Sequence, residues 1–144
     1  PSSITRLKDM GVPTFLITAT VEAILAQRLV RRVCSQCREA VETSDEILLD
    51  LGIKREEMAG RQFYRGTGCE ICNSTGYKGR VGLFELMIMN DELREMVMNN
   101  ASVDAMRNTA RGYGMVTLRD AGEAFAFEGT TSAEEVVRET IVDA

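Results

Sequence analysis

All four cysteines of this 144-residue chain fall in two tight pairs, Cys34-Ser35-Gln36-Cys37 and Cys69-Glu70-Ile71-Cys72. The pattern is C-x2-C-x31-C-x2-C. A two-residue gap turns the chain sharply enough to aim both sulfurs at one point, with backbone N–H groups left to donate to them. Two such turns supply a tetrahedral S4 site, the ligand set that suits Zn²⁺. Gly68 before the second pair and Asn73 after it are turn formers. The first expectation is therefore one structural zinc ion held by Cys34, Cys37, Cys69 and Cys72. Three alternatives stand beside it. Two disulfides require an oxidising compartment. A redox C-x-x-C needs a pair that opens a helix after a strand, and neither pair does. A catalytic zinc needs an open position, which four thiolates do not leave.

The segment between the pairs exceeds the roughly 15–20 residues of a zinc ribbon. It carries its own predicted elements, so residues 34–72 read as a small lobe. About 40 residues bury too little surface to fold alone. Zinc binding of about 10–16 kcal/mol, the range for zinc-finger peptides, supplies the difference.

Histidine is absent. That excludes Cys2His2 zinc, histidine acid–base chemistry and every Ser-His or Cys-His nucleophile pair. The formal charge is −5 and the aromatic content 6%. A nucleic-acid partner held through phosphates or base stacking is not expected. The least polar stretch, Phe15 to Val30, is broken by Glu22, Gln27 and Arg28, so no transmembrane helix is expected.

Along the chain, Ser3 caps a short helix, Ile4 to Met10, closed by Gly11. Pro13 starts a second, Thr14 to Gln27, apolar around most of its circumference and therefore read as buried. Leu29 to Val33 reads as a strand. Inside the lobe, Thr43 and Glu46 suggest a capping box for a helix to Leu51. A turn follows over Lys54 to Met58, then a strand over Gln62 to Arg65. A strand over Arg80 to Met89 leads into four helices: Glu92 to Met98, Val103 to Arg111, Thr117 to Phe127 and Ala133 to Val142. The fold class is mostly α with short β segments: a helix pair, a zinc-stapled α+β lobe and a compact C-terminal helical bundle. The domain reading is 1–33, 34–72 and 73–144.

Other features have plain accounts. Eight methionines, six of them from Met87 onward, read as core filling more readily than as a partner surface. Gly66-x-Gly68 and Gly76-x-x-Gly79 read as turns, since no Gly-Lys-Ser/Thr follows. Glu134 and Glu135 suit the first turn of a helix. Arg31, Arg32, Arg38, Lys78 and Arg80 either offset thiolate charge or form a solvated basic face. Arg6 and Arg28 read as surface residues or ion-pair halves.

Several stretches are familiar: Ile4 to Val12, Leu25 to Cys34 with its Gln27-Arg28-Leu29-Val30-Arg31 core, Cys72 to Gly82 with Thr75-Gly76-Tyr77-Lys78-Gly79-Arg80, then Phe84-Glu85, Leu118 to Gly122 and Gly129 to Arg138. Together they resemble the C-terminal part of the bacterial type II secretion and type IV pilus assembly ATPases. Pilus-retraction members of the wider family lack the four-cysteine lobe, so the secretion and assembly branch fits better. The resemblance implies a fragment of an α/β P-loop ATPase, with residues 1–33 ending the ATPase core. It implies a homo-hexamer, cytoplasmic and peripheral to the bacterial inner membrane, that works on a membrane platform protein. The four cysteines match the family's zinc ligands. ATP and Mg²⁺ belong to the parent protein, because no G-x-x-x-x-G-K-[ST] motif is present here. The chain alone is expected to be non-catalytic. The rival reading is a free-standing zinc-ribbon-like module that binds nucleic acid or protein.

Overall fold

In the computed structural model residues 1–140 are described. The elements run α1 (Ser2–Asp9), α2 (Thr14–Thr20), β1 (Ala23–Val33), β2 (Arg38–Val41), α3 (Asp45–Leu51), a 3-10 turn (Arg55–Met58), β3 (Phe63–Gly66), β4 (Tyr77–Ile88), α4 (Asp91–Met98), α5 (Val103–Gly112), α6 (Leu118–Glu128) and α7 (Ala133–Glu139). The expected end of the last helix at Val142 lies outside the described residues. β1 pairs with β4, and β2 with β3. The mixture of helices and small antiparallel sheets agrees with the expected class. Local chemistry placed several boundaries well. Asn90, Ser102 and Ser132 each accept a bond from the backbone N–H three residues on, at 2.9, 3.1 and 3.2 Å.

The chain divides into two compact units. The first holds residues 1–26 and 84–117, the second residues 27–83 and 118–140. The boundary falls inside both β1 and β4.

In the first unit, one core gathers Ile4 of α1, Ile17 of α2, Met87 and Met89, Leu93 and Val97 of α4, and Met106 and Ala110 of α5. Cations close two helix ends. The Lys8 ammonium donates to the Val97 carbonyl at 2.9 Å and to Asn100 Oδ1 at 3.0 Å. Arg94 Nε donates to the Thr18 carbonyl at 3.0 Å. Both carbonyls lie in a last helical turn, where a cation is favoured; the Val97 carbonyl also accepts from the Asn100 N–H at 3.2 Å.

In the second unit, Leu48 and Leu51 of α3 and Phe63 of β3 pack with Ala126 of α6 and with Ala133 and Val136 of α7. Phe63 stacks on Phe127 with ring centroids 4.7 Å apart. Gly122 admits this packing. A Cβ there would sit 2.8 Å from Val136 and 3.3 Å from Leu83. The apolar side chains of the cysteine lobe are therefore covered by helices that begin more than forty residues after it.

Four expectations are corrected. The second helix stops at Thr20, not Gln27, and the residues after Val21 form β1, where the Met89 N–H donates to the Glu22 carbonyl at 2.9 Å. The β-branched run Thr18, Thr20, Val21 favours the switch. Only Ile17 of α2 is buried; Phe15 is 62% exposed. β2 was not foreseen; it lies antiparallel to β3 in the register Glu39 to Arg65 and Val41 to Phe63. The cap of α3 is Ser44, which accepts from the Ile47 N–H at 3.3 Å, rather than Thr43. α4 and α5 belong to the first unit, α6 and α7 to the second. Partner surface, not chain order, groups them.

Candidate metal centre

The two cysteine turns meet. Cys34 closes β1, and its backbone N–H donates to the Gly76 carbonyl at 2.9 Å. Cys37 opens into β2, and Cys69 follows β3 across Gly68. After Cys72 the chain coils tightly: the Ser74 N–H donates to the Cys69 carbonyl at 2.8 Å, and the Thr75 N–H to the Cys72 carbonyl at 3.1 Å. Asn73 and Ser74 both take positive φ, 54° and 61°, to make this turn. Gly66 and Gly76 cross so closely that a Cβ on Gly66 would lie 2.2 Å from the Gly76 carbonyl oxygen. No side chain fits at either position, which brings the two cysteine arms together.

All four Sγ atoms lie within 4.8 Å of one another. Cys34 and Cys69 are 3.7 Å apart at sulfur, Cys37 and Cys72 3.8 Å, and Cys69 and Cys72 3.7 Å. A tetrahedral ion with metal–sulfur bonds of about 2.3 Å spaces its ligands about 3.8 Å apart. The sulfurs thus stand where such an ion needs them. They stand far beyond the about 2.05 Å of a disulfide, and all four are free thiols.

Backbone donors point at the same centre. The Gly68 N–H lies 3.3 Å from Cys37 Sγ, and the Cys69 and Gly76 N–H groups each lie 3.2 Å from Cys72 Sγ. These bonds shape the thiol acidities. The Gln36 N–H holds Cys34 below the ordinary thiol value. Burial pushes Cys72 up, but the N–H groups of Cys69 and Gly76 and the neighbouring thiols outweigh it and bring Cys72 to about 6. At Cys69 the Cys72 N–H acts downward, while burial and the Cys72 and Cys34 thiols prevail and raise it to about 11. Mixed acidities in one cluster mark thiols that share protons, and a cation replaces those protons. Cys34 and Cys72 are buried, Cys37 and Cys69 half-buried. With no fifth metal-binding side chain in the cluster among the described residues and no histidine in the sequence, the arrangement suits a coordinatively closed ion.

The flanking cations separate by role. Arg31 does not face the sulfurs. It forms a buried-end ion pair with Glu135: Arg31 Nη2 and Nε lie 2.6 and 3.0 Å from Glu135 Oε1, and the Arg31 backbone N–H lies 2.9 Å from Oε2. The Arg31 guanidinium also covers the Tyr77 ring at 4.0 Å, and the Tyr77 hydroxyl bonds Ser132 Oγ at 2.7 Å. The Thr131 hydroxyl donates to the Arg31 carbonyl at 2.8 Å. Arg38 donates to the Gly129 carbonyl at 3.3 Å. Arg6, Arg28, Arg32, Lys78 and Arg80 are exposed.

Glu135 stands in the first turn of α7, as expected, but its ion pair was not foreseen. It is 2% exposed and bound to Arg31. Burial works to raise its pKa, but the Arg31 hydrogen bonds and the charges of Arg31 and Arg138 hold it below the usual glutamate range. Only its partner more than one hundred residues earlier reveals this role. The uncharged run Thr130-Thr131-Ser132 just before it was the one local signal.

Comparison with known sequences places these features in a family. Residues 1–138 match the family model described as Type II/IV secretion system protein. The chain is 44% identical over 139 residues to the type IV pilus assembly ATPase PilB of Thermus thermophilus, covering 96% of this chain and 16% of that protein. It is 40% identical over 144 residues to the PilB of Myxococcus xanthus, covering 99% and 25%. It is 40% identical over 138 residues to the type II secretion system ATPase E of Vibrio cholerae, covering 96% and 27%. The chain thus spans no more than about a quarter of the length of these relatives.

Proposed function

Because the chain belongs to the Type II/IV secretion system protein family, we propose that it is the zinc-binding, non-catalytic C-terminal region of a hexameric ATPase that powers type II secretion or type IV pilus assembly. The four-cysteine cluster with sulfur separations of 3.7–3.8 Å carries the zinc half of this reading. Cys34, Cys37, Cys69 and Cys72 hold one Zn²⁺. Its chemistry is to fix the two arms of the lobe, since four thiolates leave it no place for water or substrate. Residues 1–33 end the ATPase core, 34–72 form the zinc lobe, and 73–144 carry the chain into its closing helices.

A second observation supports the parent-protein half. Along β4 the side chains alternate between buried (Leu83, Glu85, Met87) and exposed (Phe84, Leu86, Ile88). In the first unit, Phe84, Leu86 and Ile88 are apolar and 47–66% exposed, and Leu25 of β1 is 63% exposed. Strands with apolar residues on both faces belong to sheets covered on both faces, as in α/β proteins. The ATPase core of the parent supplies that cover.

In the parent, ATP and Mg²⁺ bind upstream sequence, and the assembled ring works at the cytoplasmic side of the inner membrane against a platform protein. No helix among the described residues is long and apolar enough to cross a membrane. The test has two parts. Metal analysis of the reduced chain should find about one zinc per chain. The chain alone should show no ATP turnover above a blank. A folded, metal-free lobe overturns the first part, and sustained hydrolysis the second.

A further inference from the structure

A cleft of about 340 Å³ opens in the second unit beside the Cys34–Cys37 turn. Three cations line it from three separate segments: Arg32 on β1, Arg38 at the start of β2, and Lys78 on β4. Ser35, Gln36 and Thr130 add uncharged polar side chains to its wall. No carboxylate lines it, and among the described residues none of the three cations is in an ion pair. This is unusual in a chain of net charge −5, whose acids otherwise find Arg31, Arg55, Arg65, Arg94, Arg107 and Arg138.

We propose that this cleft binds a phosphate group through Arg32, Arg38 and Lys78. Like charges gathered in one concavity repel, and a concave wall focuses their field outward. A multivalent oxyanion relieves that repulsion better than a single carboxylate. Guanidinium groups present paired N–H donors that match phosphate oxygens, and an ammonium adds a point charge. Arg38 is steadied at the cleft by two contacts. Its Nη1 donates to the Gly129 carbonyl, and its guanidinium carbon lies 5.5 Å from the centre of the Tyr64 ring. The competing role for the same cations is to balance the thiolates of the adjacent metal centre, since Cys34 also borders the cleft. In that case they act on metal retention and bind no anion. The source of the phosphate is either a free phosphate compound or a phospholipid headgroup, and the chemistry is shared.

The experiment titrates inorganic phosphate, then pyrophosphate, into the isotopically labelled chain as purified, in low-chloride buffer, and follows backbone amide shifts. Saturable shifts at Ser35, Gln36 and Thr130, weakened tenfold or more in R32Q/K78Q, support the proposal. Both substituted residues are exposed, so this variant keeps the fold, and R6Q in the first unit serves as the control for a cation removed away from the cleft. Vesicles of phosphatidylglycerol and of phosphatidylcholine form the second arm. Sedimentation with phosphatidylglycerol alone, lost in R32Q/K78Q and retained in R6Q, supports the proposal with a headgroup source. Absence of saturable shifts together with absence of selective sedimentation overturns it. So does a response that R32Q/K78Q and R6Q weaken equally. Zinc loss from R32Q/K78Q without any anion response assigns the cations to charge balance and also overturns it.

Discussion

The two compact units solve the problem of small size differently. The first gathers Ile4, Ile17, Leu93, Val97 and three methionines between four short helices and the end of β4, with Glu85 buried on that strand and Lys8 and Arg94 bonded to helix-end carbonyls. The second encloses a smaller set around Phe63 and Val136 and adds the four-cysteine cluster and the ion pair of Arg31 with the buried Glu135. Its strands are short or shared, and α3 and α7 have seven residues each. The helices of the first unit are of similar length, seven to ten residues, so the contrast lies in the cysteine cluster and not in element length. The apolar side chains between the two cysteine pairs take cover from outside that stretch. Leu48, Leu51 and Phe63 of the lobe are buried by α6 and α7, and the Phe63–Phe127 stack joins the two.

The largest break in this contrast should come from the metal. With Cys34→Ser or Cys69→Ser the chain should lose its zinc, and amide exchange should show residues 34–72 and α6–α7 opening while the first-unit amides keep their protection. Structural zinc contributes on the order of 10–16 kcal/mol in finger peptides, well above the stability of most small domains. Equal loss of protection in both units would show that one cooperative fold depends on the metal.

Leu93→Ala should do the reverse. Leu93 is 1% exposed in the first core, and removing its side chain should cost about 2–5 kcal/mol. Denaturant melts should show the first unit weakened, with zinc content unchanged.

Glu135→Gln tests the ionic link of the second unit. The amide keeps the shape but loses the charge-assisted bonds to Arg31, so about 2 kcal/mol should be lost, a figure tempered by the solvent around Arg31. The same link sets a pH response. The folded pKa of Glu135 is depressed, so its stabilisation is complete above the unfolded glutamate value of about 4.3. It is lost as pH falls through the lower folded value. Acid melts of wild type and Glu135→Gln should therefore converge below about pH 4 and separate above it. Parallel curves at every pH would remove the ion pair from the account.

The smallest effect should come from Met106→Leu. Met106 is 2% exposed in the first core, and a volume-conserving apolar swap should cost under about 1.5 kcal/mol. A larger loss would mean that the methionine core is shape-specific and not merely apolar filling.

Particular residues show where sequence reading reached. The two cysteine turns and the caps at Asn90, Ser102 and Ser132 were legible because each acts within three or four residues of itself, whereas the close approach of Gly76 to Gly66 spans ten. Phe15 and Leu16 were misjudged because exposed apolar residues look like core until their neighbours are known. β1 was read as helix over its first half, since Ile24 and Leu25 fit either period and only pairing with β4 decides between them.

The sequence by itself determined the two cysteine pairs, the turn chemistry around them, and the family to which the chain belongs. Tertiary structure decided which helices cover the cysteine lobe, that Glu135 is a buried partner of Arg31, and that Arg32, Arg38 and Lys78 converge on one cleft. The physical reason is distance along the chain. A cap or a knuckle is satisfied by its immediate neighbours. A core, an ion pair or a charged concavity needs residues brought from far apart, and their identity appears only when the packing that joins them exists.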